Sequence, residues 1–406
     1  MESGPRDTKR KVVLFTAQEP SGDAHAAPVI ARLRAEYPDI EPVAFGGPRM
    51  EAAGATMLGR TADDGVMGLA GATKVLEVRA LHNRVVEWVR ANPIAVHMPV
   101  DSPSANFPLS ARLKPMGVKI VNLVAPQLWA WAPWRIRKVR RISDALLCLL
   151  PFEEQWFRSR GVTAKFVGHP VLSGTLDFNA LDRQSAHFPN GAPRVLLLAG
   201  SRSSEVRNNA QLLLDAFSII KRSLPLASAI VVASNEANAQ LFRKVIGGSV
   251  IGRPLPMGVQ MEVGCIDAGV SWCDIAIAVS GTVSLDCARQ AKPVVGIYRT
   301  SLLEVLGAKL VLRAPYRLLP NIVAGRRIVP EFVPYAGNAG PIAGAALELL
   351  TNRVRMQRTR DDLKAVTAAF AGRDPARISA AVVARAARGE SIDNAALDLV
   401  VDECRG

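Results

Sequence analysis

The sequence predicts an α/β protein built from two doubly wound domains of similar size. Three observations carry that expectation. Short apolar runs alternate with amphipathic helical stretches along most of the chain, the pattern of parallel sheets covered by helices. The length of 406 residues is that of two domains, and a hydrophobic content of 49% is enough to fill two cores. The polar, turn-rich stretch Gly174–Pro193 separates the halves and reads as a linker. The expected domains are residues 1–175 and 190–345, with helices over 346–406 packing back on the first domain.

The expected strands are Val12–Thr16, Ile94–Val100, Val118–Val124, Ala145–Leu149, Val195–Ala199, Ala229–Ala233, Ile275–Val279 and Val294–Ile297, each a short apolar run. Pro42–Phe45 is a further apolar run. Val75–Arg90 and Asn208–Arg222 are helical, the second with Leu212, Leu213, Ala216, Phe217 and Ile220 on one face. From about Ala339 the tail is Ala/Arg-rich and helical, with no clear strand. Ligands of such sheets bind at the carboxyl ends of strands, so a cleft between the two domains is the expected active site.

A net charge of +14 favours a polyanionic partner: nucleic acid, an anionic membrane face or phosphorylated substrates. Aromatic residues make up only 5% of the chain and no nucleic-acid motif is visible, which ranks membrane or phosphosugar first. No apolar run of about 20 residues predicts a transmembrane helix, and the start MESGPRDTKRKVVLF reads as no signal peptide. Cys148, Cys265, Cys273, Cys287 and Cys404 form no CxxC pair, and the histidines have no metal-ligand spacing. A reduced, cytosolic setting without a metal site is expected.

Arg194–Val206 reads as strand, turn, helix. Gly200 turns the backbone after Val195–Ala199, and Ser201, Arg202, Ser203, Ser204 and Glu205 lead into the helix. Unpaired N–H groups at a helix start favour an anion, and the hydroxyls and guanidinium add to that. A phosphate-bearing ligand and a plain helix cap both fit. Asp274–Gln290 repeats the design: a strand ends at Val279, Ser280, Gly281 and Thr282 turn, and Asp286 lies one helical turn further. Two such units suit a diphosphate held between helix starts, with Asp286 accepting from ribose hydroxyls; two ordinary turns are the other reading.

In the first half, Val12–Thr16 runs into AQEPSGD at Ala17–Asp23, where Glu19 and Asp23 bring two carboxylates to a turn shaped by Pro20 and Gly22. A functional carboxylate and a helix cap from Ser21 or Asp23 are both compatible. GGPRMEAAG at Gly46–Gly54 allows close backbone approach but is no dinucleotide fingerprint. Ile94–Val100 ends at Asp101, placed for general-base work, with a turn-forming Asp before Ser102-Pro103 as the alternative. Val66, Met67, Leu69 and Leu76 form an apolar cluster fringed by Lys74, Arg79 and Arg84. It suits an interfacial membrane contact or an ordinary core-packed helix. Trp129, Trp131 and Trp134 lie beside Arg135, Arg137, Lys138, Arg140 and Arg141. That segment suits lipid headgroups, sugars or nucleic acid, or is a solvated basic helix with buried tryptophans.

Taken in chain order, EPSGD (Glu19–Asp23), GGPRM (Gly46–Met50), VMGL (Val66–Leu69), LWAW (Leu128–Trp131), PFE (Pro151–Glu153), FVGHP (Phe166–Pro170), GSRSSEV (Gly200–Val206), SGTVSLDC (Ser280–Cys287) and LPNIVAGRRIVPE (Leu319–Glu331) form a pattern. From about Lys11 to Tyr335 the chain resembles the bacterial lipid-A-disaccharide synthase family, glycosyltransferases of the GT-B architecture with two Rossmann-like domains. The resemblance implies an acceptor- and membrane-facing first domain and a UDP-sugar-binding second domain. It implies inverting transfer from UDP-2,3-diacylglucosamine to the 6-hydroxyl of 2,3-diacylglucosamine 1-phosphate. The products would be a β-1,6-linked lipid A disaccharide 1-phosphate and UDP.

The resemblance also assigns roles. Asp101 is implied as the base and Arg202 as the stabiliser of the departing diphosphate. Glu19, Ser21, Gly22, Gly200, Ser201, Ser203, Glu205, Ser280, Gly281, Thr282, Asp286, Asn321, Arg326 and Glu331 are implied as substrate contacts. Val66, Met67, Leu69 and Leu76 are implied as membrane contacts. The expected setting is cytoplasmic, peripheral on the anionic inner face of the inner membrane, with no nucleic acid, no metal and no cofactor; a homodimer is left open. A UDP-sugar transferase with another lipid acceptor, or a catalytically silent UDP-sugar- or lipid-binding homologue, are the alternatives. The chain departs from the family pattern at Gln18, usually glycine, at Ala199, usually proline, and at Pro334, usually Gln. Its DSPSAN (Asp101–Asn106) keeps Asp101, Pro103 and Asn106 of a DxPDFN-like stretch.

Overall fold

A computed structural model describes residues 10–61, 72–247, 255–301 and 314–405. The chain forms two compact units, Met1–Ser173 with Gly372–Gly406, and Gly174–Ala371.

Among the described residues the first unit holds a seven-stranded sheet whose neighbouring strands all pair in parallel. Its strands are β1 (Lys11–Ala17), β2 (Ile40–Gly46), β3 (Thr56–Arg60), β4 (Val96–Val100), β5 (Lys119–Leu123), β6 (Ala145–Cys148) and β7 (Ala164–Phe166). Their spatial order is β3-β2-β1-β4-β5-β6-β7, so the winding reverses between β1 and β4. Alternate residues feed opposite layers. Val13, Phe15, Met98 and Val100 share one core with Val29, Ile30 and Leu33 of the helix Pro20–Glu36. Val12, Leu14, Val43 and Phe45 join a second with Leu81, Val85, Val86 and Val89 of the helix Ala72–Ala91. Leu109 and Leu113 of the helix Pro103–Leu113 complete that second layer.

The second unit repeats the plan with six strands among the described residues: β8 (Arg194–Leu198), β9 (Ser228–Ala233), β10 (Val259–Val263), β11 (Ile275–Val279), β12 (Val294–Arg299) and β13 (Glu331–Tyr335). Their order is β10-β9-β8-β11-β12-β13, with the reversal between β8 and β11. Both units therefore have the doubly wound, Rossmann-like arrangement, in which ligands bind beyond the carboxyl ends of the strands at the reversal.

Two expectations about boundaries need correction. The stretch read as a linker contains the helix Phe178–Ser185 and belongs to the second unit, because Leu181 and Phe188 are buried there. Phe188 meets Trp272 edge to face at 5.9 Å. The return to the first unit begins at Gly372 rather than 346. Ile342, Ala343, Ala346 and Leu349 of the helix Ala339–Thr351 fill the second core and hold that helix there. From the helix Pro375–Ala387, Ile378, Val382 and Val383 enter the first core. Arg388 then grips Asp39 through two bonds of 2.9 and 2.8 Å.

The LWAW and PFE motifs meet in the first unit. Trp129 Nε1 donates to Glu153 Oε1 at 3.0 Å, Leu150 N to Glu153 Oε2 at 3.1 Å, and the Trp129 ring stands edge to face on Phe152 at 4.9 Å. Burial pushes the Glu153 carboxyl up from its ordinary 4.5 to about 7, against the pull of these donors. A carboxyl raised on folding stabilises the fold below its unfolded pKa, and that contribution is lost as pH rises through about 7. Glu153→Gln keeps an acceptor for Trp129 without the buried charge. Denaturant unfolding followed by tryptophan fluorescence should show the variant gaining on the parent between pH 5 and pH 8, by up to about 3 kcal/mol. A difference between the two proteins that stays constant with pH would refute the assignment.

Candidate active site

At the reversal point of the first sheet, β1 leads into Gln18–Ser21 and β4 into Asp101–Ser102. Gly22 lets the start of the helix Pro20–Glu36 settle onto both strands: a Cβ there would lie 3.0 Å from Ala17 Cβ and 3.1 Å from the Val100 carbonyl. This closeness brings Ser21 to Asp101, with Ser21 Oγ donating to Asp101 Oδ2 at 3.3 Å. Glu19 is the N-cap residue of that helix, its carbonyl accepting from Asp23 N at 3.2 Å. Asp101 and Ser102 both take left-handed backbone, at φ 53° and 43°. Each non-glycine residue so placed costs about 1–2 kcal/mol, and such strain persists only where the surroundings over-determine it.

The surroundings here are polar and buried. Asn106 Nδ2 donates to the Asp101 carbonyl at 2.8 Å and to the Val100 carbonyl at 3.2 Å. Thr16 Oγ1 donates to Asn106 Oδ1 at 2.8 Å and lies 2.9 Å from His97 Nε2. Thr16, His97 and Asn106 are each 1% exposed or less. Sequence reasoning missed this group, although its signal was present: Thr16 and His97 interrupt runs of apolar strand residues, and a buried polar group needs partners. The Asp101 charge also reaches His25, whose pKa burial lowers while that charge pulls it back up.

EPSGD and GGPRM explain each other. Asp23 is buried and its carboxylate accepts from Gly47 N at 3.1 Å, Arg49 N at 3.0 Å and Met50 N at 2.9 Å. Of the two readings of Asp23, the structure supports the cap, though for the neighbouring helix Pro48–Ala52 rather than its own.

The second unit treats its glycine turn in the same way. Gly200 has φ +101°, and a Cβ there would lie 2.4 Å from Glu205 Oε2. That oxygen accepts from Ser201 N at 3.0 Å and Arg202 N at 3.2 Å. The expectation that the turn amides bind an anion is thereby corrected at these two positions, since Glu205 already fills them, and Glu205 itself is buried. The turn is braced by Asn238 Nδ2 on the Ser201 carbonyl at 2.8 Å and by Asn209 Nδ2 on the Glu205 carbonyl at 2.8 Å. It presents outward the exposed residues Ser201, Arg202, Ser203 and Ser204. The half-exposed Arg202 guanidinium is steered by Glu205 Oε1 at 3.2 Å from its Nη1.

Because β8 and β11 pair directly, the Ser280–Thr282 turn follows the strand next to the one that leads into the Gly200 turn. Gly281 and Thr282 are exposed and Ser280 is partly so. Asp286, in the helix Val283–Arg289, is pushed up to about 7, first by burial and then by the neighbouring charge of Asp267. Asp267 Oδ1 and Gln290 Oε1 are buried acceptors without a donor, and Gln290 Nε2 bonds the Asp267 carbonyl at 3.0 Å. This acceptor-rich corner had no sequence signal beyond Asp286, because Asp267 reaches it from a different helix, Ile266–Trp272.

Three implied substrate contacts make side-chain bonds within the second unit. Asn321 is fully buried: Ile328 N and Val329 N donate to its Oδ1 at 2.8 and 3.0 Å, and its Nδ2 donates to the Val329 carbonyl at 3.0 Å. Glu331 accepts from Leu318 N at 2.9 Å, Arg317 N at 3.1 Å and Asn321 Nδ2 at 3.0 Å. Arg326 forms a two-pronged bond to Asp362 at 3.1 and 2.6 Å. Of the implied membrane contacts, Val66, Met67 and Leu69 lie outside the described residues, and Leu76 is 62% exposed at the start of the helix Ala72–Ala91. In the basic segment Trp134 is 62% exposed, Arg135 stacks over Trp131 at 4.7 Å, and Arg137, Lys138, Arg140 and Arg141 are exposed. Among the described residues no group of His, Cys, Asp and Glu could hold a metal ion, and no helix is long and apolar enough to cross a membrane.

Known proteins match this arrangement at two levels. Among solved structures, a UDP-GlcNAc 2-epimerase from Neisseria meningitidis bound to UDP-GlcNAc aligns with a TM-score of 0.59 at 11% identity, over 89% of this chain and 97% of its own. A glycotransferase of kitacinnamycin aligns with a TM-score of 0.59 at 12% identity, over 93% and 99%. These likenesses support the fold, the GT-B plan of two Rossmann-like units. In sequence, the lipid-A-disaccharide synthase of Solibacter usitatus is 31% identical over 385 residues, covering 91% of this chain and 96% of its own. That of Chromobacterium violaceum is 33% identical over 344 residues, covering 84% and 88%. The family model described as lipid-A-disaccharide synthetase matches residues 13–382, and the chain belongs to that family.

Proposed function

We propose that the protein joins UDP-2,3-diacylglucosamine to 2,3-diacylglucosamine 1-phosphate, acting as a lipid-A-disaccharide synthase. The observation that carries this reading, within a chain of that family, is the Asp101 corner. A carboxylate stands on strained backbone at the reversal of a parallel sheet, beside Ser21, with no cation bonded to it among the described residues. In this reading Asp101 takes the proton of the acceptor 6-hydroxyl as its oxygen attacks the anomeric carbon of the donor. The bond from that carbon to the phosphate oxygen breaks, its electron pair leaves with UDP, and the configuration inverts. Arg202, with the hydroxyls of the Ser201–Ser204 and Ser280–Thr282 turns, offsets the charge that develops on the diphosphate. The acceptors of Asp267, Asp286 and Gln290 suit the hydroxyl and imide donors of a uridine.

Localisation follows from charge and substrate. Both sugars carry acyl chains, and the net charge of +14 includes the exposed cations Arg137, Lys138, Arg140 and Arg141 beside Trp134. Together they support peripheral binding to the anionic, cytoplasmic face of the inner membrane.

Incubating the protein with both diacylated sugars should yield UDP and a disaccharide 1-phosphate detectable by mass spectrometry. Asp101→Ala should lower kcat by about 10²–10⁴-fold and Arg202→Ala by about 10²–10³-fold; turnover at the parent level in either variant removes that residue from the mechanism. Sedimentation with anionic liposomes should succeed at low salt and weaken as salt rises. Replacing the four cations at 137, 138, 140 and 141 by Ser should weaken it further, and unchanged binding would place the membrane contact elsewhere.

A further inference from the structure

We infer that the buried chain His97–Thr16–Asn106 is a positioning device that sets the Asp101 carboxylate for proton transfer. The inference rests on the reading of Asp101 as the base. Its argument is the direction of the hydrogen bonds. Thr16 has one hydroxyl proton, and it goes to Asn106 Oδ1 at 2.8 Å. Toward His97 Nε2, 2.9 Å away, Thr16 can then only accept, so His97 carries its ring proton on Nε2. Which end of the Asn106 amide is nitrogen is fixed by the backbone carbonyls it faces, which can only accept: Asp101 at 2.8 Å, Val100 at 3.2 Å and, more distantly, Thr16 at 3.5 Å. Oδ1 is therefore the end turned to the Thr16 hydroxyl. The chain thus runs in one direction, from the ring in β4 through the hydroxyl in β1 to the corner that bears the base.

The neighbours preserve that direction. Burial lowers His97 to about 3 and also lowers His82, which faces it from the helix Ala72–Ala91, so both rings stay neutral. Ser110 Oγ flanks the chain from the helix side, its one proton shared between two acceptors, the Asn106 carbonyl at 3.1 Å and the unprotonated His97 Nδ1 at 3.4 Å. If these residues only satisfied one another, a Thr16–His97 pair would suffice. The third member makes its two shorter amide bonds to the Val100 and Asp101 carbonyls, where the chain enters the left-handed Asp101–Ser102 corner.

The test compares Thr16→Val, which is nearly isosteric but has no hydroxyl, with Thr16→Ser, which restores it. Steady-state kinetics with both substrates are read beside thermal unfolding. Thr16→Val should lose about 10–100-fold in kcat, the range expected for a reacting group displaced by an ångström or less, with KM for the UDP donor within about threefold. Thr16→Ser should return kcat to within about threefold of the parent. The same contrast is expected between His97→Leu and His97→Gln, and it serves if Thr16→Val does not fold. A folded Thr16→Val with parental kcat, or equal loss in Val and Ser variants, overturns the inference. Asp101→Asn is the control: parental kcat there overturns the reading of the base itself, whatever Thr16 does.

Discussion

Backbone N–H groups at a turn or helix start must find an acceptor, and in this protein carboxylates of the chain supply it. Asp23 takes the amides of Gly47, Arg49 and Met50. Glu205 takes those of Ser201 and Arg202, and Glu331 those of Arg317 and Leu318. Asp23 joins one motif to its neighbour and Glu205 closes its own, so that these turns are held by ionic hydrogen bonds stronger than neutral ones. An unmet amide at any of these turns would carry the full desolvation cost.

This constraint redistributes roles within the site. The glycines fit carboxylates: a side chain at Gly47 would strike Asp23, and one at Gly200 would strike Glu205. With those amides spoken for, the exposed hydroxyls of Ser201, Ser203 and Ser204 and the Arg202 guanidinium are what this turn presents outward. Glu205 also steers the Arg202 guanidinium. In the first unit the equivalent work falls to Asn106, which braces the Asp101 corner with neutral amide bonds and leaves the carboxylate to Ser21 and to whatever approaches it.

The strands read directly from sequence are mostly central. β1, β4, β5, β8 and β11 are covered on both faces and appear as nearly continuous apolar runs. The strands left unassigned include all four sheet edges: β3 (TMLGR), β7 (AKF), β10 (VQMEV) and β13 (EFVPY). These are short, and most are partly exposed, charged or interrupted by proline, so they lack the run that marks a buried strand. The helix Phe178–Ser185 was hidden for a related reason, since few of its residues are apolar and only Leu181 is buried.

By itself the sequence determined the α/β class, the central strands, the two strand–turn–helix units and the family, because apolar periodicity and turn chemistry are local. Tertiary structure decided what each turn binds. In the first unit the partners lie far apart in the chain, 24 positions between Asp23 and Gly47 and 90 between Thr16 and Asn106, whereas Glu205 closes its own turn from four positions away. Only strand pairing across the sheet reversal brings β1 beside β4 and β8 beside β11. It thereby brings Ser21 beside Asp101.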